Sequence, residues 1–263
     1  MARDADDPME AEFDTVAEWT AQVAADLGPE YLVPAACRGS GKPAALDWLL
    51  VGVRARPGDL LVDVGAGLGG PAAYAADRTG IRPVLVEPEP DACRAAARLF
   101  GAPVIQADAT ALPFADGAVG LAWSLGVLCT APSREAQLAM LLEMRRVVRP
   151  SGRIGLLVYL AVTAKLDDPP QGNHFPTSTD LHTLLRRAGL EVLSVADSQD
   201  MPEPPDSWQE RTAAVERELQ RRCGQNPQFA AAIGQSHRIG HLLDIGQLTS
   251  QVILLSREYE GEP

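Results

Sequence analysis

The 263-residue sequence predicts an α/β fold, and three observations carry that prediction. Short apolar runs alternate with helix-period stretches between residues 60 and 195, the pattern of parallel strands covered by helices on both faces. The first apolar run leads through a glycine-rich turn into a helix. Acidic residues, Glu87 and Asp108, stand at the ends of the second and third runs.

Each element follows from its own local signals. Over residues 9–27 apolar side chains recur near helical spacing (Phe13, Val16, Val23, Leu27), and Gly28-Pro29 stops the pattern. A second helix, 43–53, ends before the turn signal Arg56-Pro57-Gly58-Asp59. Strands are then expected at 60–64, 83–86, 104–106 and 119–123, with helices at 71–79, 91–100 and 135–148. Pro150-Ser151-Gly152 precedes a fifth strand at 153–159, and Thr177 or Ser178 caps a helix at 179–188 before a sixth strand at 190–195. From about 197 to 246 the alternation breaks. Met201-Pro-Glu-Pro-Pro205 forbids regular structure, an amphipathic helix follows with Trp208, Val215 and Leu219 near one face, and a second helix covers 228–243. Residues 251–256 close the chain as a seventh strand. The expected division is a disordered tail at 1–8, an N-terminal helical segment at 9–43, and an α/β domain at 44–263 with its helical insert.

Composition excludes several classes of function. Thirty-five acidic residues against 23 basic ones give a formal charge of −12, which repels phosphate backbones and argues against nucleic acid as a partner. Cys37, Cys93, Cys129 and Cys223 show no CxxC spacing, so reduced thiols in a cytoplasmic protein are expected and no metal site is. The acidic start, Met1 to Pro8, lacks the basic and apolar regions of a signal peptide, and no apolar run is long enough to cross a membrane.

The most informative segment is Leu60-Leu-Val-Asp-Val-Gly-Ala-Gly-Leu-Gly-Gly70. Glycine at 65, 67 and 69 lets the backbone turn sharply and admits a ligand where a Cβ would collide. Without a ligand it would be only a tight strand–helix turn. Glu87, 22 residues beyond Gly65, can accept hydrogen bonds from ribose hydroxyls, and Asp108 is placed to meet an adenine amine. All three features lie at the carboxyl ends of successive strands, where open α/β sheets bind ligands. GxGxxG with a later acid also fits NAD. However, acidic Asp63 ahead of the glycines suits a cationic ligand better than a pyrophosphate.

The chain resembles class I S-adenosylmethionine (SAM)-dependent methyltransferases of the small-molecule type. The resemblance rests on Val62-Asp-Val-Gly-Ala-Gly-Leu-Gly-Gly70, Val86-Glu-Pro88, Ala107-Asp-Ala-Thr-Ala-Leu-Pro-Phe114 and Glu143-Met-Arg-Arg-Val-Val-Arg-Pro-Ser-Gly-Arg153, and covers roughly residues 44 to 195. It implies a Rossmann-like sheet of seven strands, the last antiparallel and inserted beside the fifth, under an N-terminal lid. It also implies SAM as cofactor. Asp63 would support the glycine loop and the methionine amine, Gly65 and Gly67 would line the cofactor, Glu87 would hold the ribose, and Asp108 the adenine. Leu125 would lie near the methionine moiety, and Ala66, Pro88, Ala109 and Ser124 complete the expected set.

Methyl transfer is an in-line displacement with a good leaving group, so alignment and exclusion of water matter more than a fixed catalytic signature. The loop Lys165-Leu-Asp-Asp-Pro-Pro-Gln-Gly-Asn-His-Phe-Pro176 offers Asn173 to an acceptor and His174 as a general base, unless His174 is only a loop residue. Tyr159 either orients an acceptor or is a hydrogen-bonded core tyrosine. In the insert, His237 and His241 stand at i and i+4 beside Arg238, which could meet an acidic substrate or sit on a solvated face. Tyr31 and Arg38, within the lid and the Ala36–Lys42 segment, and Cys129, after the fourth strand, complete the candidate acceptor lining.

The expected function is SAM-dependent methylation of a small organic acceptor, in specialised metabolism, by a protein that could form a homodimer. The alternatives are a SAM-binding enzyme catalysing rearrangement, cyclisation or decarboxylation, a non-catalytic SAM-binding module, and an NAD-binding oxidoreductase.

Overall fold

The computed structural model describes residues 14–257; the expected tail at 1–8 and the first residues of the N-terminal helix, Phe13 included, lie outside the described residues. In chain order the elements are α1 (Val16–Leu27), α2 (Pro29–Ala36), α3 (Pro43–Gly52), β1 (Leu60–Val64), α4 (Gly70–Thr79), β2 (Arg82–Glu87), α5 (Pro90–Phe100), β3 (Val104–Gln106) and β4 (Val119–Leu125). They continue with α6 (Arg134–Val147), β5 (Val148–Ala161), α7 (Ser178–Arg187), β6 (Leu190–Asp197), α8 (Asp206–Cys223), α9 (Pro227–Asp244) and β7 (Leu248–Arg257). The seven strands form one sheet in the order β3-β2-β1-β4-β5-β7-β6. Neighbours from β3 to β5 are parallel, while β7 runs antiparallel to both β5 and β6. The expected seventh strand beside the fifth is therefore present.

Period-two alternation divides the core between the two faces of the sheet. Val62, Val64, Ile154 and Leu156 pack on one face against Met140, Leu141 and Met144 of α6 and Leu181 and Leu184 of α7. Leu61, Leu121, Trp123 and Leu157 pack on the other against Leu46, Leu49 and Leu50 of α3 and Ala75 of α4. A separate cluster joins the N-terminal helices to the insert. Val16, Val23 and Ala35 meet Val215, Leu219 and Phe229 there, so α1, α2, α8 and α9 form one cap.

Local chemistry explains the boundaries. Thr177 and Asp180 form a reciprocal capping box at the start of α7, which settles the choice between Thr177 and Ser178. Gly28-Pro29 ends the first helix at Leu27 as expected, Gly28 standing at φ 134°, but Pro29 at the first helical position then starts α2, which the sequence pattern did not show. Strand five also begins earlier than expected, at Val148, which pairs with Val119 before a register shift. Gly152 allows this, because a Cβ there would sit 2.6 Å from the Gly120 carbonyl oxygen. No helix among the described residues is long and apolar enough to cross a membrane.

Candidate functional site

At the carboxyl end of β1, Gly65, Gly67 and Gly69 all have positive φ, between 52° and 79°. A Cβ on Gly65 would lie 2.5 Å from a Val127 methyl, so the loop passes directly under the segment that follows β4. At Gly67 a Cβ would meet nothing within 4 Å, which leaves bare backbone facing open space. The loop turns into α4, whose N-terminus carries Gly69 and Gly70.

Acidic side chains surround this opening. Glu87 is buried at the end of β2 and accepts from the Gly67 N–H (2.7 Å) and the Glu89 N–H (3.1 Å). Burial pushes its carboxyl up to about 7, partly offset by those two bonds, with nearby Glu89 and Asp14 adding to the rise. Asp63, 2% exposed, is likewise pushed up to about 7 by burial. Its Oδ2 is buried without a hydrogen bond, as is the Nε1 of Trp123, its register neighbour on β4. The indole N–H lies near enough to favour the carboxylate but outside hydrogen-bond geometry. Asp108 is exposed after β3, and its Oδ1 accepts from the backbone and side chain of Thr110 (2.8 and 2.6 Å). Ala66 and Leu125 are buried in the floor of the site, with Pro88 and Ala109 half-buried at its edge.

An orphaned buried carboxylate oxygen calls for a cation or a donor. The site therefore fits a ligand that carries an ammonium and a sulfonium beside a ribose and an adenine. A pyrophosphate fits poorly among Asp63, Glu87, Glu89 and Asp14. Ser124 is buried, and its Oγ donates to the Val64 carbonyl (2.8 Å), pinning β4 to β1 beneath the site.

The segment from Ala36 to Lys42 crosses over the glycine loop. A Cβ on Gly70 would sit 2.4 Å from the Ala36 carbonyl carbon, and one on Gly126 2.5 Å from the Gly39 carbonyl oxygen. Leu68 of the loop packs against Ala21 of α1 and Ala36 of α2. Tyr159 donates its hydroxyl to the Gly39 carbonyl (3.2 Å), and burial pushes its phenol well above the usual range. That corrects its candidate catalytic role: the hydroxyl latches this segment to β5. Sequence reading overlooked Gly70 and Gly126 as docking points, although Gly126 directly follows the apolar run of β4.

The loop after β5 is held at several points. His174 donates its N–H to the Cys129 carbonyl (2.7 Å), and its own carbonyl accepts from Gln137 Nε2 (2.7 Å), which also reaches the Leu128 carbonyl. The His174 side chain is exposed. Asn173 donates to the sulfur of buried Cys129 (3.4 Å), so these two candidates engage each other. Gln235, 2% exposed, grips both backbone groups of Gln171. Arg238 donates to Asp168 (2.9 Å) and Gln235, in keeping with its solvated-face alternative. His241 is exposed near the end of α9 and does not line the cavity described below, and Tyr31 packs within the cap. Buried Gln137 and Gln235 were not foreseen, because an isolated glutamine in a helix gives no signal of burial.

Beneath the cap lies a cavity of about 510 Å³, lined by Arg38, Trp208, Phe229, Ile233 and His237 among others. Arg38 and His237 are thus brought to one site. No cluster of His, Cys, Asp or Glu among the described residues could hold a metal ion.

The fold and the site together define a Rossmann-like sheet whose carboxyl edge carries an acidic, glycine-lined opening. A family model described as a methyltransferase domain matches residues 62–156, from β1 to β5. That match takes in the glycine loop, Glu87 and Asp108, and supports a class I SAM-dependent methyltransferase with SAM as its cofactor. The chain is similar to the methyltransferase GfsG of Streptomyces halstedii, at 28% identity over 165 residues, covering 56% of this chain and 58% of that protein. It is also similar to the 27-O-demethylrifamycin SV methyltransferase of Amycolatopsis mediterranei (strain S699), at 31% identity over 179 residues, covering 62% and 63%. The matches thus span less than two thirds of either relative. The cyclopropane synthase MmaA2 of Mycobacterium tuberculosis shares the fold, with a TM-score of 0.67 at 13% identity over 90% of this chain and 97% of that one.

Proposed function

We propose that this protein transfers a methyl group from SAM to a small organic acceptor. The observation that carries this reading is the buried, unpartnered carboxylate oxygen of Asp63, beside a glycine loop whose bare backbone at Gly67 faces open space. Asp63 would hold the cationic amino-acid end, Glu87 the ribose and Asp108 the adenine. Glu87 already accepts two backbone N–H groups, and a carboxylate has about four acceptor positions, so room remains for ribose hydroxyls. When bound, SAM supplies an electrophilic methyl with a good leaving group. The chain's own task is then to align the acceptor and exclude water.

Residues 14–43 act as the lid in this reading, with the Ala36–Lys42 segment closing over the methionine end. His174 sits where the post-β5 loop meets the post-β4 segment, and its exposed imidazole would take a proton from an acceptor hydroxyl. The two bacterial relatives support an acceptor from specialised metabolism, because one is named for a rifamycin substrate.

Calorimetric titration with SAM, S-adenosylhomocysteine and NAD tests the reading. The expected result is binding of both sulfur ligands, weakened in Glu87→Ala and Asp108→Ala, with no binding of NAD. Binding of NAD alone would overturn it. Formation of S-adenosylhomocysteine during turnover would separate methylation from a non-methylating use of the cofactor.

A further inference from the structure

Among the described residues, two buried side-chain polar atoms have no hydrogen-bond partner: the Oδ2 of Asp63 and the Nε1 of Trp123. They belong to neighbours. Asp63 of β1 is in register with Trp123 of β4 on the adjacent parallel strand, so the two side chains leave the same face of the sheet. The next residue in that row is Gly155 of β5, where a Cβ would crowd the Trp123 Cβ (3.4 Å) and a Leu49 methyl (3.2 Å). Trp123 itself is fully buried, in an apolar cluster with Leu46, Leu49 and Leu157.

The two open atoms are complementary. An indole N–H can only donate, and an ionised carboxylate can only accept. Native interiors pair nearly all such groups, because a buried donor or acceptor left open is costly. Protonation explains the gap between them here. Burial raises the Asp63 carboxyl to about 7, the indole works against that rise, and Glu87 adds to it. A neutral acid is a poorer acceptor for the indole than a carboxylate is. Cys37 is also titratable and close to Asp63, but burial and Asp63 itself push its thiol above the usual range, so it stays neutral. A ligand cation that reaches Asp63 favours the carboxylate. The indole then gains the acceptor it lacks.

We infer that Trp123 is a positioning residue for the cofactor: its indole N–H bonds the Asp63 carboxylate and fixes it to receive the amino-acid ammonium of SAM or S-adenosylhomocysteine. The inference rests on the methyltransferase reading, which gives Asp63 that ammonium. Trp123 is buried and acts through Asp63. It therefore matters for ligands that carry the ammonium, and not for adenosine analogues that lack it.

The test compares S-adenosylhomocysteine with 5′-methylthioadenosine, which keeps the adenosine and the sulfur but has no amino-acid end. Calorimetry on the full chain is expected to show Trp123→Phe weakening S-adenosylhomocysteine about tenfold, as loss of a charge-assisted bond requires, with 5′-methylthioadenosine within about twofold of wild type. Equal weakening of both ligands would give Trp123 a packing role alone and overturn the inference. A second measurement leaves the core intact and serves if Trp123→Phe does not fold. The chain has four tryptophans, and the wild-type nitrogen–proton spectrum resolves their indole N–H signals. The Trp123 signal should move downfield with S-adenosylhomocysteine and stay in place with 5′-methylthioadenosine. A Trp123 signal that ignores S-adenosylhomocysteine, or responds equally to both ligands, also overturns the inference. If the wild type binds neither ligand, the methyltransferase reading itself fails, and this inference with it.

Discussion

The two halves of this site are built by different means. The cofactor half is made of backbone: three positive-φ glycines, the ends of β1 and β2, and carboxylates whose positions are fixed by strand register. The cap half is made of side chains that meet across long stretches of chain, such as Arg38 with Ser236 and Asp26 with Arg222. Backbone-built sites depend on geometry that one Cβ can destroy. Side-chain-built sites spread their energy over many contacts, each worth little, and can change specificity without loss of fold.

The largest expected effect lies in the cofactor half. Gly65→Val puts a branched Cβ into Val127, at a φ of +74° that valine resists. S-adenosylhomocysteine affinity should fall by about a hundredfold or more, with strain on the order of 1–3 kcal/mol. Affinity within threefold of wild type would break the claim that this half is set by backbone. Glu87→Gln comes next. The amide keeps one acceptor oxygen for two backbone donors and loses the charge, so affinity should drop roughly tenfold, as for loss of a charge-assisted bond.

Gly126→Ala sharpens the comparison at the seam. Its Cβ would press on the Gly39 carbonyl and lift the Ala36–Lys42 segment, at a cost of about 1–3 kcal/mol. Hydrogen exchange should quicken at 36–42 and stay unchanged in β1 and β2. Equal quickening in both would show that the halves do not move separately.

A pH dependence follows from the acidic floor. Burial raises the Asp63 and Glu87 carboxyls to about 7, well above their values in an unfolded chain. Groups raised in this way contribute stability below the unfolded value, near 4, and lose it as pH climbs through 7. The free protein should therefore lose stability between about pH 4 and 7. SAM, as a cation, favours the ionised forms, so its stabilising shift in Tm should grow over the same window, and more than that of S-adenosylhomocysteine. Asp63→Asn should flatten the difference. A ligand shift independent of pH in the wild type would remove the acidic floor from the account.

The same division explains what could be read from sequence. The glycine loop, Glu87 and Asp108 were legible because strand ends and turns leave fixed spacings, and all seven strands were found for that reason. Thr177 was legible as one of two cap candidates. The start of α2 was missed because Gly28-Pro29 reads equally as a stop or as a stop followed by a new start. Ser124, Tyr159 and Arg238 all suit ligands by their chemistry, with a core role open for Tyr159 and a surface role for Arg238; only tertiary contacts reveal that each is bonded to protein. Gln137 and Gln235 left no trace in the pattern, since what makes them structural is the backbone of a loop 37 and 64 residues away.

The smallest structural effect is expected at His174, and that is what makes it useful. Its backbone N–H and carbonyl are both bonded, to Cys129 and Gln137, while the imidazole is exposed. His174→Ala keeps both backbone bonds, so stability should change by no more than about 0.5 kcal/mol, as for other surface substitutions. Gln137→Leu removes the donor to two carbonyls and should cost about 1–3 kcal/mol. If the imidazole serves as the base, His174→Ala lowers kcat by about a hundredfold or more and removes the acid limb of the pH–rate profile, whereas Gln137→Leu lowers activity with that limb intact. An unchanged profile in His174→Ala would assign the loop a positioning role alone, with Gln137 as the residue that holds it.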